Sequence, residues 1–124
     1  MFRIQKTMEI AGAHRLNLPY DSKCSNHHGH NWLVTVYCKS EGLNENGMVV
    51  DFVEIKREVH DKLDHQCLND IKELGWIEIG SSGCIDVNPT AERLAEWICY
   101  AIPTCYRVDV QESIGNIATF EYPG

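Results

Sequence analysis

The run Asn31-Trp32-Leu33-Val34-Thr35-Val36-Tyr37-Cys38 constrains the fold more than any other part of the chain. It is rich in β-branched and aromatic residues, which favour a strand, and successive strand side chains leave opposite faces. Trp32, Val34, Val36 and Cys38 therefore share one face, and Leu33, Thr35 and Tyr37 the other. Both faces are fairly apolar, which predicts a sheet covered on each side, by helices on one and by another subunit on the other.

Directly before this run stands Lys23-Cys24-Ser25-Asn26-His27-His28-Gly29-His30. With the strand beginning near His28, His28 and His30 project from one face and His27 from the other. A third imidazole, His14, lies at the end of another β-like segment, Ala13-His14-Arg15. Neutral imidazole suits zinc, copper, iron or nickel. Three histidines without a clear fourth protein ligand leave one position for water or substrate, the catalytic arrangement for zinc. A second possibility keeps the ion but makes it structural, with Cys24 closing a shell of one thiolate and three imidazoles. A lone histidine is more often a surface or satisfied core residue. The His-Gly-His with a nearby Cys at a strand start is what singles these out.

The 124 residues predict one domain, 1–124, with no room for a second. At 44% hydrophobic and 23% charged residues, the chain reads as an ordinary globule rather than a disordered one. No apolar run is long enough to span a bilayer and the N-terminus lacks the form of a secretory signal, so the expected compartment is the cytoplasm. The six cysteines form no Cys-x-x-Cys pair, which excludes a zinc ribbon or a thioredoxin-type motif. In a reducing compartment Cys38 and Cys99 are expected as small core residues. A net charge of −7 with 11 scattered Lys and Arg argues against a nucleic-acid surface. For an anionic ligand, Arg15 and Lys23 beside the histidine cluster are the candidate counter-charges, the alternative being plain solvated charge.

Residues 2–13 read as a first strand through Phe2, Ile4, Met8 and Ile10, with Gly12 permitting a bulge or close approach near His14. A loop follows over 16–26. Asp51, three residues before Glu54, resembles a capping box, and Phe52, Ile55, Val59 and Leu63 form the stripe of a helix from Phe52 to about Leu63. His60 lies off that stripe and reads as solvated. Asp64 beside His65 at the helix end is a cap or surface pair, with chemistry as the lesser reading. Residues 71–88 form an atypically long connection, with a short strand expected at Trp76–Ile79. Thr90 is a good N-cap for a second helix through Ala91, Leu94, Ala95, Ile98, Ala101 and Ile102, ended by Pro103. Tyr106–Ser113 and Ala118–Tyr122 make a terminal hairpin. The order β-β-α-α-β-β predicts an α+β domain, a four-stranded antiparallel sheet with two helices on one face.

Six blocks in order resemble the 6-pyruvoyl-tetrahydropterin synthase family: Ala13-His14-Arg15-Leu16, Lys23-Cys24-x3-His28-Gly29-His30-Asn31, Gly47-Met48-Val49-Val50-Asp51-Phe52, Leu63-Asp64-His65-x2-Leu68-Asn69, Asn88-Pro89-Thr90-x-Glu92, and Glu112 after Val110-Gln111. The three-residue gap between Cys24 and His28 is like that of the family's bacterial 6-carboxy-tetrahydropterin synthase branch, which serves queuosine biosynthesis. The 71–88 connection departs from that branch by its length.

The resemblance implies the T-fold, assembled as trimers that stack into a homohexamer with substrate pockets between subunits. It implies a zinc lyase acting on 7,8-dihydroneopterin triphosphate to give 6-carboxy-tetrahydropterin, acetaldehyde and triphosphate. His14, His28 and His30 would hold Zn2+, which acidifies the neighbouring C–H as a Lewis acid. Cys24 would abstract the proton, and His65 oriented by Asp64 would be a second proton-transfer group. Glu112 would anchor the pterin ring through its 2-amino and N3 positions. Thr90 would hold the ring or only cap its helix, and Glu92 would bind substrate or only favour the helix dipole. A 6-pyruvoyl-tetrahydropterin synthase, a zinc hydrolase, an aldolase-like pterin lyase and a non-catalytic T-fold binding protein remain as alternatives.

Overall fold

Among the described residues the alternating apolar pattern resolves into one mixed five-stranded sheet with helices on one face. The computed structural model describes residues 1–16, 18–71 and 88–123. In chain order the elements are β1 (Phe2–His14), a 3-10 turn (Lys23–Ser25), β2 (His28–Ser40), α1 (Phe52–Glu58), α2 (His60–Leu63), β3 (Gln66–Cys67), a second 3-10 turn (Leu68–Asp70), α3 (Ala91–Ala101), β4 (Cys105–Ser113) and β5 (Asn116–Glu121). The strand order is β3-β1-β2-β4-β5, antiparallel except where β3 runs parallel to β1. The expected Trp76–Ile79 strand lies outside the described residues.

Period-two alternation decides which side chains are buried. Met8 and Ile10 of β1, Trp32, Val34, Val36 and Cys38 of β2, and Val108 and Val110 of β4 all enter the core. Against them lie Ile55 of α1, Val59 at the junction, Leu63 of α2, and Leu94, Ala95, Ile98 and Cys99 of α3. Fully burying one such aliphatic side chain stabilises the fold by roughly 1.5–3 kcal/mol. Asp51 caps α1 by accepting from Val53 N at 2.8 Å, and Thr90 caps α3 by accepting from Arg93 N at 3.2 Å.

The structure differs from the sequence expectation in four places. The single helix over 52–63 is two, because Val59 departs to φ −117°, ψ −71°, although Leu63 N still donates to Val59 O at 3.1 Å. Phe52 leaves the stripe and is 48% exposed, bordering an apolar cleft with Phe2 and Met48. A fifth strand forms at Gln66–Cys67, where the chain leaving α2 docks on Gly12 and Ala13. His60 is half-buried rather than solvated, with Nε2 3.6 Å from Asp64 Oδ2.

No described helix covers the second sheet face. There Tyr37 donates its hydroxyl to Asp109 Oδ2 at 2.9 Å, Thr119 and Arg107 donate to Oδ1 at 2.7 and 3.0 Å, and Thr7 meets Thr35 at 3.1 Å. Burial raises the Asp109 carboxyl, but these hydrogen bonds outweigh it and hold the group below the usual carboxylate range.

Candidate functional site

Register builds the histidine cluster. In the β1–β2 ladder His14 pairs directly with His28, and His30 pairs with Gly12, so the three imidazoles share one face at the end of two strands. Their ring centroids lie 4.5 to 5.0 Å apart. Gly12 makes the close approach that its sequence position suggested: a Cβ there would sit 2.8 Å from both the Gln66 carbonyl oxygen and Trp32 Cζ3. The missing side chain lets β3 pair with β1 and lets the Trp32 ring lie against His14 and His30 at 5.2 and 5.4 Å.

Two of the rings are oriented from behind. His14 is fully buried and donates Nδ1–H to the Pro89 carbonyl at 2.7 Å, while His28 donates Nδ1–H to the Asn26 carbonyl at 2.8 Å. A carbonyl only accepts, so the proton belongs on Nδ1 and each Nε2 is left as a ligand atom. Burial is the main reason that the His14 and His30 imidazoles are held below their ordinary pKa, which favours the neutral, metal-binding form.

Glu112 completes the group. Two residues beyond the buried Val110, it stands on the same face as the core, in the irregular stretch between Gln111 and Ser113. Its Oε1 lies 3.1 Å from His14 Nε2 and 3.2 Å from His30 Nε2. One ligand atom from each of His14, His28, His30 and Glu112 falls within 4.8 Å of the others. His14 Nε2 and His30 Nε2 are buried without a hydrogen-bond partner, a cost that a bound cation removes. Three imidazoles and a carboxylate suit zinc and its neighbours among the first-row metals.

The other candidates are placed around this group. Cys24, half-buried, is held near the strand end because its carbonyl accepts from Leu16 N at 2.7 Å, but its sulfur is not among the converging atoms. Asp64 Oδ1 accepts from Ala11 N at 2.9 Å and Oδ2 receives His65 Nδ1 at 2.7 Å. The Ala11 amide, more than His65, holds this carboxyl below the usual range. His65 takes φ 59° and its side chain is 81% exposed, so the pair is formed but stands outside the cluster. Glu92 lines a cleft of ≈ 380 Å³ together with Glu112. The Thr90 hydroxyl is engaged in its helix cap. Lys23 is exposed on the first 3-10 turn and Arg15 is half-buried just past β1.

Sequence reasoning missed two supporting groups. The Pro89 carbonyl orients His14, and Asn69 clamps the end of β1, accepting from Arg15 N at 2.9 Å and donating to Arg15 O at 3.1 Å. Both lie inside the motif blocks, which named the residues without their roles.

The family model for 6-pyruvoyl tetrahydropterin synthase matches residues 3–123. The chain belongs to the 6-pyruvoyl tetrahydropterin synthase family. Within it, the 6-carboxy-5,6,7,8-tetrahydropterin synthase of Bacillus subtilis is 30% identical, over 90% of this chain and 80% of that relative. The Synechocystis enzyme of the same name is 31% identical, over 99% of this chain and 95% of that relative. Caenorhabditis elegans 6-pyruvoyl tetrahydropterin synthase superposes with a TM-score of 0.69 at 25% identity, covering 98% and 95% of the two chains. The sheet and helices described above are this family's T-fold, and the chain is an enzyme of that lyase-type family.

Proposed function

We propose that the protein is a zinc-dependent 6-carboxytetrahydropterin synthase, converting 7,8-dihydroneopterin triphosphate to 6-carboxy-5,6,7,8-tetrahydropterin with release of acetaldehyde and triphosphate, in the cytoplasmic route to queuosine. The observation that carries the proposal is the convergence of His14, His28, His30 and Glu112 in a chain whose full-length relatives bear that enzyme's name. His14, His28 and His30 hold the ion, and Zn2+ supplies Lewis-acid polarisation of the substrate's side-chain oxygens.

The chain's own groups do the rest. Glu112 accepts the paired N–H donors of the pterin ring in the ≈ 380 Å³ cleft that it lines with Glu92. Cys24, held beside the strand end by Leu16, removes the substrate proton. Asp64 fixes the ring of His65, which delivers a proton. Because His65 projects outward from its own chain, it serves the pocket of a neighbouring subunit in a trimer or hexamer. Arg15 and Lys23 meet the triphosphate.

The deciding experiment incubates purified protein with 7,8-dihydroneopterin triphosphate and identifies the released fragment. Acetaldehyde supports the proposal, glycolaldehyde means an aldolase, triphosphate without an aldehyde means a 6-pyruvoyl-tetrahydropterin synthase, and none of the three means a binding protein. Cys24→Ala should keep its zinc and lose about 10²- to 10⁴-fold in kcat, the usual contribution of a positioned base. Loss of the metal in that variant would instead make the thiolate a structural ligand.

A further inference from the structure

The contacts of Glu112 with two histidines are too close to ignore and are the wrong shape for hydrogen bonds. Oε1 approaches His14 Nε2 and His30 Nε2 to 3.1 and 3.2 Å, yet neither nitrogen is aligned to donate to it. For His14 the other ring nitrogen is committed to the Pro89 carbonyl, so a neutral ring turns a lone pair toward this region. A lone pair and a carboxylate oxygen at such distances repel unless a cation lies between them. Two ligands bound at about 2.0–2.2 Å to one tetrahedral zinc stand roughly 3.3 Å apart. Both contacts are close to such ligand–ligand edges, and the direction of each Nε2 beside the oxygen, rather than at it, is what a shared third point requires.

We propose that Glu112 is the fourth ligand of the metal ion in the substrate-free protein and leaves the ion when the pterin ring binds. The proposal rests on the function above only for the identity of the ring. One carboxylate then does two jobs in turn. It closes the coordination shell at rest, and on binding its oxygens accept the ring's N–H donors, which frees a coordination position at the moment substrate arrives. No proton changes hands in this exchange. The protein's gain is that an open, water-reactive metal is not displayed between turnovers.

The test uses the whole protein stripped of metal and titrated with Zn2+ against a chromophoric chelator, and separately loaded with Co2+, whose visible bands report coordination number. Glu112→Gln and Glu112→Ala are compared with the unaltered chain, with circular dichroism of the metal-free proteins as the folding control. Both variants should bind Zn2+ at least about 10- to 100-fold more weakly, the loss already seen for disrupted outer-shell partners. Their Co2+ bands should weaken toward those of a more hydrated ion. Adding neopterin should change the Co2+ spectrum of the unaltered chain and leave that of the variants in place. Equal Zn2+ affinity with unchanged bands in folded variants overturns the resting ligand. Neopterin binding, followed by its own fluorescence, without a change in the cobalt bands overturns the exchange, as does failure of neopterin to bind. These readouts need no turnover, so absence of acetaldehyde release would remove the proposed reaction and leave the ligand assignment standing.

Discussion

His14 reaches 75 residues along the chain to donate to the Pro89 carbonyl at 2.7 Å, joining the end of β1 to the entry of α3. A single hydrogen bond thus sets both the ring's proton and the position of the helix that borders the cleft. His14→Asn keeps an N–H for Pro89 and removes the ligand. We expect a folded protein whose metal affinity drops by more than the roughly 10- to 100-fold cost of losing an outer-shell partner. Chelator competition measures it, and near-unaltered affinity would remove His14 from the ligand set.

Gly12→Ala should destabilise the fold by about 1–3 kcal/mol, the usual penalty for adding atoms to a filled core. The added methyl meets a backbone carbonyl and the Trp32 ring at 2.8 Å, and the carbonyl cannot rotate out of the way as a flexible side chain would. Urea unfolding reports the loss, and weakened metal binding should accompany it because Trp32 supports both neighbouring imidazoles. An unchanged unfolding midpoint would show that β3 yields freely.

Among the described cysteines, Cys24 and Cys67 are half-buried whereas Cys38, Cys99 and Cys105 are buried. The neighbouring Cys105 thiol and burial both push the Cys38 thiol upward, and burial does the same to Cys99. Mass-resolved alkylation of the native protein should therefore modify Cys24 and Cys67 before Cys38, Cys99 and Cys105. The buried thiols should react only at the rate of global opening, and early labelling of Cys38 would contradict the packing described.

Metal-free protein should lose stability on mild acidification. His14 and His30 have folded pKa values below the ordinary 6.5, so the unfolded chain takes up protons first as the pH falls. The stability they contribute is complete above pH 6.5 and is lost as the pH drops through the lowered folded values. Denaturant titrations between pH 7.5 and about 5 measure the slope, which the His14→Gln variant should reduce. A slope unchanged by that substitution would mean the ring is not held neutral.

Much of this was legible because it depends on short periods. The alternation from Trp32 to Cys38 marked β2 and its buried face, and the same period two put His28 and His30 side by side. Glu112 follows Val108 and Val110 on that period, so its face was readable, but its meeting with His14 depends on β4 lying beside β2, a long-range pairing with no local signature. A two-residue strand such as Gln66–Cys67 has no periodicity at all, being fixed by its docking on Gly12 and Ala13. His60 lies off the apolar stripe and so reads as solvated, although its i,i+4 spacing to Asp64 is a usable signal. The split at Val59 comes from one pair of dihedral angles that the helical stripe does not reveal.

All the converging ligand atoms come from one end of the sheet: the close of β1, the opening of β2 and the close of β4. The opposite end, where Cys38 meets Cys105 and the polypeptide leaves Ser40 for the exposed stretch 41–48, shares none of these groups. That remote rim is where a fluorophore, an affinity tag or a longer linker can be grafted while the chemistry half of the molecule stays as it is.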